Sequence, residues 1–338
     1  MFPKANLRTR EVGAVKVLRA RWTPDASLGI LVHMEPLSGR QFGLSAGDYS
    51  ATIASIGASL RELTWQGRNL VVPFDADEVR PDYRGAVLAP WPNRVVDGRY
   101  QFDGLEHQLA LTEPERGHAL HGLAVWQDFV VVSQQPSAVA LRATVSPQVG
   151  YPFRLGLVVT YSLTEQGLMI SLEATNTGQG PAPFGAGIHP YLRAGSGVVN
   201  DWFLQLPAAS VLAVTPDRLI PLNLHSVTEL ASQFDFRRQR IIADTFLDHA
   251  FTDLSADPDD MFTARLTDRA GEGVTIRWGE ACHWLQVHTA DRPDPGTNRI
   301  GLAVEPMTCP PDAFNSGRDL IILPAGGSTV VRWHVAGF

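Results

Sequence analysis

Glu305 follows the apolar run Gly301–Val304 and is itself followed by Pro306. A carboxylate so placed is either a solvated strand end or a partly buried base. Burial would raise its pKa towards neutrality, the range in which a carboxylate moves protons efficiently. In "PFGAGIHPYL", His189 precedes Pro190, and proline confines the residue before it to extended backbone, so the imidazole direction is restricted. That suits a general acid titrating near neutral pH, and it equally suits a core histidine bonded to backbone. Asn93 and Arg94 follow two prolines in "APWPNRVVDGRY". The planar guanidinium can grip hydroxyls or a carboxylate, or it can lie solvated in a surface turn. His118 and His121 stand three apart in "RGHALHGLAVW", without the helix and neighbouring Glu of the common zinc motif, so no metal is expected. Asp248 in "DTFLDHAFTDL" is either a cap or a ligand acceptor.

Such residues need rigid elements to bring them together. Short segments alternating apolar and polar residues recur along the chain, among them "AVALRATVS", "RLGLVVTYSLT", "GLMISLEATNT", "HWLQVHTA" and "STVVRWHVAGF". Period-two alternation marks strands with one face buried. Turn signals such as Asp103-Gly104 and Gly326-Gly327 separate them. Helix is expected only in short pieces, for instance within 226–236. The pattern predicts an all-β protein, a large antiparallel β-sandwich in one domain over 35–338. Residues 1–34 are richer in Arg and lack alternation; they predict an extra strand, a tail or an upstream extension. The 338 residues carry a net charge of −7, against nucleic acid or an anionic membrane as partner. No apolar run approaches the ~20 residues of a spanning helix, and the N-terminus lacks the apolar stretch of a secretory signal. Two cysteines, Cys282 and Cys309, build no disulfide framework. A cytoplasmic protein, monomer or homodimer, is expected.

In order along the chain, these stretches resemble the aldose 1-epimerase (galactose mutarotase) family from about Phe42 onward. "IGASLRELTWQGRNLVVPF" is similar to the family's opening, "NRVVDGRY" to its Asn-Arg turn, "LHGL" to its His-Gly loop and "HPYL" to its second histidine motif. "LDHAF" resembles the Asp motif, "AVEP…PDAFN" the Glu motif and "LPAGGSTVVRW" the closing strands. The resemblance implies a supersandwich with an open cleft on one sheet. It implies an isomerase that interconverts the α and β anomers of an aldose without a cofactor. Glu305 matches the general base and His189 the general acid. His121, Arg94 and Asp248 match the remaining sugar-site residues, and His118 has no counterpart. Asn93 joins the expected sugar-binding set, and Trp91, Trp126 or Trp284 is expected to offer an apolar face, with Trp284 preferred.

Leu123 stands where better-known members have a second Gly, Ile188 where they have Asn, and Pro306-Met307 where they have Thr-Gln. These departures lie beside the expected sugar and mark a divergent subgroup. Three rival readings follow. A hexose-6-phosphate 1-epimerase would need extra cations such as Arg84, Arg116 or Arg193. A non-catalytic sugar-binding module would keep the cleft without turnover. A glycoside hydrolase would use Glu305 and Asp248 as its paired carboxyls.

Overall fold

Alternating burial builds the long strands. Leu155–Thr164 buries every second side chain and pairs with the consecutive strand Gly167–Asn176, whose other edge takes the C-terminal strand Ser328–Gly337. The computed structural model describes residues 34–229 and 232–338, so the expected N-terminal extension lies outside the described residues, apart from Met34. Among the described residues, antiparallel pairing assembles a nine-stranded and an eight-stranded sheet, with a four-stranded sheet formed by residues 41–69. The expected all-β sandwich is the fold. Among the described residues, helix amounts to one turn, Ala313–Ser316, and a few 3-10 turns, of which Ser232–Phe234 falls inside the stretch expected to be helical.

The two large sheets share one core. Leu157, Val159, Tyr161, Leu172 and Trp333 from the nine-stranded sheet belong to the same buried cluster as Leu285, Val287, Leu302 and Val304 from the eight-stranded sheet. Burial of that apolar area is the main stabilising term, roughly 25 cal/mol per Å². A directional bond also crosses the sandwich: the Trp333 indole N–H donates to the Pro306 carbonyl at 3.1 Å. Both groups are buried, so the bond ties the closing strand to the backbone immediately after Glu305.

The strand Leu302–Met307 lies inside the eight-stranded sheet and is buried on both faces. Leu302 and Val304 enter the main core. Ala303, Glu305 and Met307 therefore occupy the opposite face, because side chains alternate along a strand. That face forms the floor of the site.

Trp333→Phe replaces the buried indole with a smaller phenyl ring and removes the N–H, leaving a buried carbonyl unpaired beside a small cavity. The expected loss is about 1–3 kcal/mol of unfolding free energy, measured by denaturant titration. An unchanged midpoint would show that the cross-sandwich bond contributes nothing.

Candidate active site

Strand register brings the acid and the imidazole together. Gly187 pairs with Met307 and Tyr191 pairs with Ala303, so His189 stands directly across from Glu305 between the two pairings. Gly187 permits this approach, since a Cβ there would meet Met307 Cγ at 3.1 Å. On the other side Gln286 pairs with Glu305, and Asp248 pairs with His288. Asp248, His288, Gln286, Glu305 and His189 thus line one cleft, which encloses about 200 Å³.

A second, smaller construction supplies the roof. The strand Arg94–Val96 pairs with His118–Leu120, joining the Asn-Arg turn to the His-Gly loop. Asn93 and His121 both have left-handed backbones, φ 55° and 64°. The His121 N–H donates to the Asn93 carbonyl at 2.8 Å, and the Asn93 N–H donates to His121 Nδ1 at 3.2 Å. Gly122 follows at φ 79°, where a Cβ would lie 2.2 Å from the Ala89 carbonyl oxygen. Only glycine fits such a conformation pressed against backbone. The imidazole of His121 ends with its ring centroid 5.0 Å from that of His189, edge to face.

His189 Nε2 lies 3.4 Å from Glu305 Oε1, with both side chains almost wholly buried. Burial, then the neighbouring charge of Asp248, pushes the Glu305 carboxyl well above its usual range, while Arg94 opposes the rise. Burial, then the positive charge of His288, pushes His189 down to about 3. Both directions favour a protonated carboxyl beside a neutral imidazole. His121 is also driven well below its usual value, by burial first and then by His189 and Arg94.

Asp248 behaves oppositely. Burial works to raise its pKa, and the charges of His288, Arg94, Arg116 and His249 together outweigh it, so the carboxylate is ionised. Gln286 Nε2 donates to Asp248 Oδ1 at 2.7 Å, and His288 Nδ1 lies 3.7 Å from Oδ2. Buried polar atoms without partners gather on this floor: Glu305 Oε2, His189 Nδ1, Gln286 Oε1 and His288 Nδ1. Native proteins satisfy buried polar groups almost everywhere, so such a concentration marks a place for a polar, hydroxyl-rich ligand.

The His121, His189 and Glu305 donor atoms lie within 4.8 Å of one another, the two-imidazole, one-carboxylate composition of some metal centres. The tautomer argues against that use. His121 Nδ1 accepts the Asn93 N–H, so the ring proton of the neutral imidazole sits on Nε2, and a protonated nitrogen cannot ligate a cation. His118 offers nothing in its place. Its Nδ1 accepts the Asp97 N–H and its Nε2 meets the Arg218 carbonyl at 2.9 Å.

The structure brings together Glu305, His189, His121, Asp248, Asn93 and Arg94, all of which line the cleft. Two of them also hydrogen-bond to one another or to a neighbouring acid. Asn93 Oδ1 accepts from the Arg94 backbone N–H and from the Arg94 guanidinium, at 3.0 and 3.3 Å. Arg94 forks onto Glu113 at 2.8 and 3.0 Å. Trp284 is not a cleft residue. It shares the sheet face with Gln286 and His288 but lies at the far end of the strand, 1% exposed, its N–H on Asp319 and its ring beneath the Arg318 guanidinium. Trp91 is buried in the core, bonded to the Ala119 carbonyl, and Trp126 lies under Arg80. The aromatic side chains that line the cleft are instead Tyr83, Tyr191 and Phe246, the last 52% exposed.

Sequence reasoning missed Glu113, Gln286, His288 and these aromatics. Gln286 and His288 alternate with Leu285 and Val287, which looks like any strand with a solvated face. Only their neighbours reveal a cleft.

Below its unfolded value of 4.5, the Glu305 carboxyl is protonated in both states. Above it the unfolded chain ionises while the folded chain keeps its proton, so stability falls as pH rises through the raised folded value. The thermal midpoint of Glu305→Gln should therefore gain on that of the native chain between pH 5 and pH 8. A gap constant with pH would mean that the folded carboxyl ionises freely.

Comparison with known proteins agrees with this architecture. The aldose 1-epimerase family pattern matches residues 40–335. The Escherichia coli K12 protein YihR is 40% identical over 301 residues, 89% of this chain and 94% of its own. The aldose 1-epimerase of the same organism is 31% identical over 191 residues, 50% of this chain and 52% of its own. Among solved structures, a GalM/aldose epimerase homologue from C. elegans superposes with a TM-score of 0.78 at 21% identity, covering 88% of this chain and 98% of its own. The chain belongs to the aldose 1-epimerase family.

Proposed function

We propose that the protein is an aldose 1-epimerase that opens and recloses the ring of a sugar hemiacetal between Glu305 and His189. The observation that carries this reading is the 3.4 Å contact between a buried carboxyl and a buried imidazole at the floor of a polar cleft. The reaction needs one group that accepts the proton of the C1 hydroxyl and one that delivers a proton to the ring oxygen. A pair holding a single proton in two positions is suited to that exchange.

In the forward step the shared proton sits on His189 and Glu305 is the carboxylate. Glu305 takes the C1 hydroxyl proton, and the electron pair of that O–H bond's oxygen forms the C1 carbonyl. The bond from C1 to the ring oxygen breaks, and its electrons go to the ring oxygen, which takes the His189 proton. Rotation about C1–C2 and the reverse transfers give the other anomer. Arg94, whose charge opposes the rise in the Glu305 pKa, favours the carboxylate form. Ionised Asp248 accepts hydrogen bonds from sugar hydroxyls, the Nε2–H of His121 donates one, and exposed Phe246 offers its face to sugar C–H groups.

The charge balance favours an uncharged sugar over a phosphorylated one. Each arginine lining the cleft is engaged by an acid: Arg94 and Arg116 by Glu113, Arg292 by Asp82. Among the described residues, Arg84 and Arg193 lie outside the lining. No lining arginine is left unpaired for a phosphate dianion.

Polarimetry of freshly dissolved α-anomers and of their 6-phosphates tests the reading. The native chain should accelerate mutarotation of free aldoses above the buffer rate, and a preference for the phosphates would overturn the uncharged-substrate part. Glu305→Gln should lower kcat by at least ~10², the contribution of one positioned proton-transfer group, with little change in KM. Near-native turnover in that variant would remove Glu305 from the role. Asp248→Asn should chiefly raise KM, by roughly 3- to 10-fold for one weakened hydrogen bond.

A further inference from the structure

One wall of the cleft comes from a turn that the reaction does not explain. Asp82 and Tyr83 are consecutive non-glycine residues with left-handed backbones, φ 49° and 56°. Each such residue costs of order 1 kcal/mol or more, and such strain persists only where the surroundings enforce it. Here they do. Before the turn, Arg80 is buried and donates to the Ile56 carbonyl and Ser59 Oγ. After it, the Gly85 N–H donates to the His189 carbonyl at 2.8 Å, and the His189 N–H donates to the Ala86 carbonyl at 3.0 Å. The turn is thus joined by backbone to the imidazole that the reaction uses. Within it, Asp82 Oδ1 meets Arg292 at 2.8 Å, and Asp82 Oδ2 lies 3.6 Å from Arg84.

The strained turn carries the Tyr83 ring across the two cleft histidines. Its centroid lies 4.8 Å from that of His121 and 6.4 Å from that of His189. The ring is half-buried and lines the cleft, while its hydroxyl has no protein hydrogen-bond partner among the described residues. Nothing in the packing of the wall calls for that hydroxyl, which phenylalanine would lack.

We propose that Tyr83 is a specificity-determining residue. The left-handed turn and the Asp82–Arg292 ion pair hold its ring beside the two imidazoles, and its hydroxyl hydrogen-bonds one hydroxyl of the bound sugar. Asp82 is then a positioning residue that acts through Tyr83. The proposal rests on the cleft being a sugar site, and not on its catalysing mutarotation.

The test is calorimetric titration of the full chain with a free aldose and with its series of singly deoxygenated analogues, with polarimetry run in parallel. Tyr83→Phe should weaken aldose binding roughly 3- to 10-fold, the worth of one neutral hydrogen bond. For the one deoxy sugar that lacks the partner hydroxyl, the native chain and Tyr83→Phe should bind alike. Asp82→Asn keeps a residue that tolerates left-handed backbone and removes the charge. It should weaken aldose binding in the native background and have a smaller effect in the Tyr83→Phe background. Equal binding of the aldose by native chain and Tyr83→Phe, or an equal loss for every deoxy sugar, would overturn the role of the hydroxyl. Additive effects of the two substitutions would overturn the positioning role of Asp82. Weakened binding without native turnover would leave Tyr83 in place and sink the epimerase reading. Turnover with unchanged binding would do the reverse, and no sugar binding at all would end both.

Discussion

The site depends on one unfavourable placement: a carboxyl on a strand buried on both faces, touching an imidazole. An ionised carboxylate alone in that position would cost several kcal/mol of lost hydration. The raised pKa of Glu305 and the lowered pKa of His189 favour a neutral carboxyl beside a neutral imidazole, which lowers the cost, and compensating charges surround the pair. Arg94 lies near enough to act on Glu305, and Arg94 itself is held by Glu113.

The rest of the cleft can be understood as support for that pair. His189 is held by backbone bonds to Gly85 and Ala86, by the stacked Tyr191 ring 5.3 Å away and by the edge of His121. His121 is held by Asn93, through a loop in which Gly122 cannot be replaced without meeting Ala89. Asn93, expected to touch sugar, lines the cleft and also orients Arg94 and His121. Its backbone N–H decides which nitrogen of the neutral His121 ring carries the proton. The same bond turns a cluster with the composition of a metal site into a hydrogen-bond donor set.

The charges are arranged so that two acids within one cleft differ in protonation. Glu305 is surrounded by apolar strand and by Asp248, which raises its pKa. Asp248 is surrounded by His288, Arg94 and Arg116, which lower its own. Separating pKa values by environment is how one cleft comes to hold a neutral and an ionised carboxyl side by side.

Much of this was legible in the chain. Period-two alternation identified Ala138–Val145, Leu155–Thr164, Gly167–Asn176 and Ser328–Gly337 of the nine-stranded sheet, but only Trp284–His288 of the eight-stranded one, because burial on one face leaves that signature while burial on both faces removes it. The ordered motifs located Glu305, His189, His121, Asp248, Asn93 and Arg94, each of which lines the cleft. What could not be read was anything that depends on strands distant in sequence. Trp284 looked available and is covered by Arg318 and Asp319, because the loop after the Glu305 strand folds back over it. Gln286 and His288 looked like a solvated face, and the register with Glu305 and Asp248 makes them floor. Glu113 was one acid among many until the pairing of Arg94–Val96 with His118–Leu120 set its carboxylate against Arg94. The chain by itself determined which residue types were present and which segments would be strands, since these follow from local pattern. Only the tertiary structure decided which side chains are buried together, and burial together is what sets a pKa, a tautomer and a free hydroxyl.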